Sequence, residues 1–228
     1  MMDNPQHKVL VVDDEEAILE LLKYNLEKAG YEVKTASDGE KAVEIAKRFI
    51  PDLVLLDIMM PKMDGVETCR LLRDIPSLQK MYVVFLTARA EEYSEVAAFE
   101  VGADDYITKP IKPRALMSRI AALFRRESKK SSTSNIINVG DLSIDRTSYT
   151  VKVKDVEISI PKKEFELLYF LAQHPNKVFS REDLLQNIWG MDVYVLARTV
   201  DVHIRKVREK IGEEYITTVK GVGYKFLN

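Results

Sequence analysis

Leu53-Val54-Leu55-Leu56, closed by Asp57, is an unbroken apolar run ending in a carboxylate, and its reading decides the fold. A strand with no polar alternation has no face for water, so helices must cover it on both sides, as in a parallel sheet. The same signature recurs outward from it, at Val9-Leu10-Val11-Val12, Tyr31–Ala36, Tyr82–Leu86 and Tyr106-Ile107. Between these runs, Ile18, Leu21, Leu22 and Leu26, then Ala42, Val43, Ala46 and Phe49, recur at helical spacing. The alternation predicts an α/β doubly wound domain with a parallel five-stranded sheet over residues 1–126.

The remainder reads differently. Residues 127–135 lose all apolar periodicity and are expected to be a flexible linker. Alternating strands follow at Ile136–Val139, Leu142–Ile144, Tyr149–Val153 and Val156–Ile160, then helices at Lys162–Gln173, Ser180–Trp189 and Arg198–Ile211. Gly221-Val222-Gly223 permits a tight hairpin near the end. Strands, three helices and a terminal hairpin predict a C-terminal α+β winged-helix domain over residues 136–228.

Composition narrows the function classes. The 228 residues are 46% hydrophobic and 31% charged, as in folded chains with room for two cores. No run approaches the roughly twenty apolar residues of a membrane span, and Met1–Lys8 lacks a secretory apolar stretch, so a cytoplasmic protein with no membrane role is expected. Cys69 has no partner for a disulfide, and His7, His174 and His203 are too scattered for zinc. The net charge of −2 hides an asymmetry. Residues 1–127 hold 18 Lys/Arg against 23 Asp/Glu, whereas residues 128–228 hold 16 against 13, so the second half is the polyanion binder.

In open α/β sheets ligands bind at the carboxyl ends of the strands. Those ends carry Asp13-Asp14, Asp57, Thr87 and Lys109. Converging carboxylates repel unless a cation lies between them, which implies a hard divalent ion such as Mg²⁺. Asp57 is then a carboxylate nucleophile for a phosphoryl group, with Lys109 and the Thr87 hydroxyl suited to its oxygens.

Leu10–Glu15, Leu55–Pro61 with Met63-Asp64-Gly65, Leu86-Thr87-Ala88 and Gly102–Pro110 together resemble the receiver motifs of response regulators. The resemblance implies that Asp57 accepts phosphate from a sensor histidine kinase. It also implies that Asp14, Asp57 and the Met59 carbonyl hold the metal, with Asp13 acting through water. Thr87 and Tyr106 form the switch pair by the same resemblance, and the Lys109–Pro110 bond is cis.

In Arg198–Ile211, Val200, Ile204, Val207 and Ile211 form a core stripe, and a step of about 100° per residue puts Arg198, Val202, Arg205, Lys206 and Glu209 on the solvent side. That basic face suits a major groove of double-stranded promoter DNA, with His203 and Arg208 reaching phosphates. Arg198–Arg208 and Thr218–Phe226, with Lys163–Leu168, resemble the recognition helix, wing and first output helix of OmpR/PhoB-type regulators. The resemblance implies that Lys220 reaches a minor groove and that the protein binds direct repeats. Pro161 stands where that family has a Thr cap, so the helix after it should begin differently. Met191–Ala197 is a candidate RNA polymerase contact or an ordinary loop.

The resemblance implies that the phosphorylated chain pairs through the helix after the fourth strand, the fifth strand and the last receiver helix. Val96, Phe99 and Leu116 would form the apolar patch of such a homodimer, and Asp105 with Arg119 one bridge across it. Glu95, Ala115 and Ala121 depart from the pattern and leave Asp104 without its expected partner. A turnover phosphatase built on the same carboxylates is the rival from another class, and it lacks a general base; a phosphorylation-independent regulator is the second. The chain is therefore expected to be no turnover enzyme.

Overall fold

The computed structural model describes residues 7–87, 101–128, 135–190 and 198–228. The chain divides into two compact units, 1–131 and 132–228.

In the first unit β1 (Lys8–Val12), β2 (Glu32–Ala36), β3 (Leu53–Asp57), β4 (Tyr82–Thr87) and β5 (Asp105–Thr108) form a parallel sheet in the order β2-β1-β3-β4-β5. The apolar runs become strands because both of their faces are covered. Val9, Val11, Leu53, Leu55, Tyr82, Val84 and Leu86 pack on α1 (Glu16–Lys28) and on the helix Pro113–Ser128. Their alternate neighbours, Leu10, Val12, Val54, Leu56, Val83 and Phe85, are equally buried and point to the opposite face. On α2 (Gly39–Phe49) and α3 (Gly65–Arg73), Ala42, Ala46, Cys69 and Leu72 are buried. Burying each large aliphatic contributes about 1.5–3 kcal/mol, so the sheet's register is firmly specified. The helix Pro113–Ser128, termed α4 below, runs two residues into the stretch expected to be linker.

Leu116, expected on an exposed pairing patch, is 1% exposed and belongs to the receiver core. It shares one side of α4 with Ile120, Leu123 and Phe124, the side that meets the sheet. Val96 and Phe99 lie outside the described residues.

In the second unit β6 (Ile136–Val139), β7 (Leu142–Asp145), β8 (Thr150–Val153) and β9 (Val156–Ile158) form an antiparallel meander. Helices α5 (Lys162–Ala172), α6 (Arg181–Ile188) and α7 (Arg198–Ile211) follow, then the hairpin β10 (Ile216–Val219) and β11 (Gly223–Phe226). Pro161 precedes α5 at φ −56° with no side-chain cap, and Ser180 with Asp183 completes a reciprocal capping box on α6. Two ion pairs with buried carboxylates help set the helices against each other. Glu164 meets Lys210 at 2.6 Å, joining α5 to the end of α7. Lys163 meets Glu166 at 3.0 Å and donates to the Ile188 carbonyl at the end of α6.

Candidate functional site

Because β3 pairs with both β1 and β4, the ends of these strands lie side by side. Asp13 follows β1, Asp57 ends β3, Thr87 ends β4 and Lys109 follows β5. One oxygen from each of Asp13, Asp14 and Asp57 lies within 4.8 Å of the others. Asp13 is fully buried, Asp57 is 3% exposed, and Asp14 is open to solvent. Capping by Asp14 would have been the ordinary reading of that residue. The cap position of α1 is Glu15, whose N–H donates to Asp13 Oδ1 at 3.0 Å.

Lys109 Nζ lies 2.9 Å from Asp13 Oδ2, 3.2 Å from Asp57 Oδ1 and 3.5 Å from Glu15 Oε1. Burial pushes the Asp57 carboxyl above the ordinary carboxylate range; Lys109 pulls it back, and Asp13 and Asp14 push it further up. Burial also opposes the charge on Lys109, but its contacts with Asp13 and Asp57 leave that ammonium's pKa raised. Among the described residues, one ammonium thus serves a pocket of four carboxylates. That excess negative charge, gathered as oxygen donors, fits a hard divalent cation.

The backbone around Asp57 is held firmly. Ile58 N–H donates to the Leu86 carbonyl at 3.1 Å, and Gly65 N–H returns to the Ile58 carbonyl at 3.0 Å. A Cβ at Gly65 would overlap the Asp57 carbonyl oxygen, so only glycine lets α3 start this close to the strand end. Lys109 N–H donates to the Thr87 carbonyl at 2.6 Å, and the Lys109–Pro110 peptide is cis. Met59, two residues past Asp57, is 74% exposed. Thr87 is buried, whereas Tyr106, opposite Phe85 in the register, is half-buried.

Two residues that the sequence placed at a dimer rim are internal. Asp104 is 1% exposed, takes Arg73 Nη2 at 2.6 Å and accepts the Val83 N–H at 2.7 Å. Asp105 is buried and lies 3.9 Å from Arg119 of the same chain, which also donates to the Tyr106 carbonyl at 3.1 Å. Sequence reasoning missed the Arg73–Asp104 pair because a partner 31 positions away leaves no local pattern.

On α7 the structure exposes Arg198, Arg205 and Glu209, with Lys206 half-buried. Three expectations for this helix are corrected. Val202 is 9% exposed and His203 1%, so neither presents an open face to a phosphate or a base. His203 turns toward Trp189, ring to ring at 5.0 Å, because its angular position borders the core stripe. Arg208 bonds the wing instead of standing free: Nε and Nη2 reach the Ile216 carbonyl at 3.0 and 2.7 Å, and Nη2 reaches Thr218 Oγ1 at 2.9 Å. Lys220 sits in the turn between β10 and β11, where Gly221 takes φ +73°.

Comparison with known proteins agrees with this geometry. Residues 9–121 match the response regulator receiver domain, and residues 155–226 match the C-terminal domain of transcriptional regulatory proteins. The alkaline phosphatase synthesis transcriptional regulatory protein PhoP of Bacillus subtilis (strain 168) is 44% identical over 233 residues, covering 96% of this chain and 95% of that protein. Among solved structures, the Thermotoga maritima response regulator DrrB, an OmpR/PhoB homologue, is 38% identical with a TM-score of 0.52, covering 98% of this chain and all of that one. A C128S mutant of RitR is 28% identical with a TM-score of 0.75, covering 97% of this chain and 99% of that chain. With a receiver, an acidic pocket at its strand ends and a winged-helix output domain, the chain belongs to the OmpR/PhoB-type two-component response regulators, DNA-binding transcriptional regulators served by histidine kinases.

Proposed function

We propose that Asp57 accepts a phosphoryl group from the phosphohistidine of a partner kinase, and that this raises affinity for promoter direct repeats or favours dimerisation. The carrying observation is the convergence of Asp13, Asp14 and Asp57 at the strand ends, where Lys109 bridges Asp13 and Asp57 at 2.9 and 3.2 Å. Asp57 Oδ attacks phosphorus, the P–N bond breaks, and the histidine nitrogen leaves with its electron pair. Lys109 balances charge that gathers on the phosphoryl oxygens, and the Thr87 hydroxyl takes another of those oxygens. Mg²⁺ held by Asp14, Asp57 and the Met59 carbonyl, with Asp13 acting through water, would neutralise the carboxylates and the incoming phosphate. Tyr106 and Thr87 form the switch that carries the change outward.

On DNA, Arg198, Arg205 and Lys206 face a major groove and Lys220 an adjacent minor groove. Met191–Ala197 lies outside the described residues and is proposed as an RNA polymerase contact. No described helix is long and apolar enough to cross a membrane, and a regulator of promoters acts in the cytoplasm.

Labelling with a small phosphodonor, followed by binding to a duplex selected by the protein from a random pool, tests this reading. The wild-type chain should take up one phosphoryl group and bind more tightly, and Asp57→Asn should do neither. Stoichiometric labelling of Asp57→Asn would overturn it.

A further inference from the structure

The recognition helix is gripped at two points along one edge. At the first, Asp201 Oδ1 accepts both Arg181 Nε, from the start of α6, and the Tyr224 hydroxyl, from β11, each at 2.7 Å. Arg181 Nη2 also lies 3.3 Å from that hydroxyl. At the second, seven residues further along α7, Arg208 holds β10 through Ile216 and Thr218. Residues seven apart on a helix differ by only about 20°, so both grips share one edge. That edge is roughly 40–80° from the exposed Arg198 and Arg205. The Tyr224 ring bridges the grips, with the Arg181 guanidinium 5.2 Å and the Arg208 guanidinium 5.7 Å from its centroid.

The base of the wing is fixed as well. Phe179 and Tyr224 exchange backbone hydrogen bonds at 2.9 and 3.0 Å, immediately before α6 begins. A Cβ at Gly223 would overlap the Phe179 carbonyl, so glycine is required for that approach. Thus α6, α7 and the wing meet at one carboxylate, Asp201. This acid stands on a helix whose neighbouring face is basic, where a negative charge opposes a polyanion.

We infer that Asp201 is a positioning residue for DNA reading: acting through Tyr224 and Arg181, it clasps the wing to the recognition helix, so that the two enter adjacent grooves as one rigid body. The inference rests on the reading of α7 and the wing as the DNA-contacting elements. A carboxylate retained beside phosphates costs affinity through repulsion, and the clasp explains its presence, because a preorganised reader loses less freedom on binding. The Tyr224 phenol, pushed up to about 12 by burial and by Asp201, stays protonated and donates throughout the physiological range.

The test is a sign. Were Asp201 merely a charge near DNA, Asp201→Asn would tighten binding to every duplex. The clasp predicts the opposite for discrimination. Affinity for a duplex selected from a random pool by the wild-type chain, divided by affinity for a mixed-sequence duplex, should fall about tenfold in Asp201→Asn, the scale of one charge-assisted hydrogen bond. Tyr224→Phe keeps the ring and the net charge, and should lose a similar factor without changing the slope of log affinity against log salt. The two losses should not add in the double variant. In the full-length protein without DNA, spin labels at Glu209 and Val222 should show a broadened distance distribution in either variant, at a temperature well below the melting of the second unit. An unchanged ratio in both variants, or an unchanged distance distribution, overturns the clasp. Arg205→Ala and Lys220→Ala separate the two readings. If neither weakens binding to the selected duplex while the labels still broaden in Asp201→Asn, the clasp exists but the DNA-contacting reading fails, and the positioning role falls with it.

Discussion

Replacing Arg73 by alanine should unfold the receiver far more readily than any surface substitution. Arg73 ends α3, is 9% exposed at its side chain and spends every guanidinium nitrogen internally. Nε holds the Gly102 carbonyl at 2.9 Å, Nη1 holds Met81 at 2.7 Å and Gln79 at 3.3 Å, and Nη2 holds Asp104 at 2.6 Å. In Arg73→Ala the buried Asp104 carboxylate keeps the Val83 N–H but loses the Arg73 guanidinium at 2.6 Å. Removing one member of a buried pair costs about 3–5 kcal/mol, a large share of the ~5–15 kcal/mol that holds a domain together. With a urea slope of roughly 2 kcal/mol per molar, the receiver's midpoint should fall by about 2 M. Far-ultraviolet circular dichroism follows that transition, and fluorescence of Trp189, the chain's single tryptophan, follows the second unit as an internal reference. Adding Asp104→Asn to Arg73→Ala should recover about 1 kcal/mol or more, because a buried charge disappears while Val83 keeps an acceptor. A fall below about 0.5 M in the single variant, or no recovery in the double one, refutes the reasoning.

Asp57→Asn should melt higher than the wild-type chain at neutral pH without metal. The folded receiver holds the Asp57 proton to higher pH than the unfolded chain does, so stability drops as pH rises through the raised pKa, and the amide escapes that loss. A lower melting temperature for Asp57→Asn at pH 7 sinks this. Mg²⁺ at a hundredfold excess over its dissociation constant should stabilise the receiver by ~2.7 kcal/mol, and Asp14→Ala should remove most of that gain in a thermal titration. The phosphoryl group should persist for minutes to hours, because Met59 offers no strong acceptor to align an attacking water. Met59→Glu should shorten its lifetime, and loss within seconds in the wild-type chain counts against the idea. Light scattering should show a mainly monomeric protein, with a weak two-fold receiver dimer after phosphorylation, since Leu116 of the expected patch is buried in the receiver core and Asp105 already faces Arg119 of its own chain. A tight unphosphorylated dimer contradicts it.

Much of this was legible in the sequence, for a physical reason. Strands buried on both faces announce themselves as unbroken apolar runs, and the chemistry follows at their ends, so Asp13, Asp57, Thr87 and Lys109 could be read together. The core stripe of α7 was equally plain from its period. What escaped were side chains whose surroundings come from distant parts of the chain. His203 was placed outside because Trp189 is invisible to a helical wheel, and Val202 because the wheel counts angle but not cover. Arg208 looked free until β10 was folded against it. Asp104 and Leu116 looked like surface groups because nothing near them in sequence names Arg73 or the sheet.

The close seat of Gly65 on the Asp57 carbonyl has a mechanical meaning. The strand end behaves as an anvil: α3 backs it, and Ile58 is tied both to Leu86 and to Gly65. A group added to the Asp57 side chain would find little room for recoil of its own backbone. The expected path for the load is sideways, to the neighbouring strand ends at Thr87 and Lys109, which share the Lys109 N–H to Thr87 carbonyl link. If Asp57 is phosphorylated as proposed, stiffness on one side of it would give the displacement a direction, toward the β4–β5 edge of the sheet.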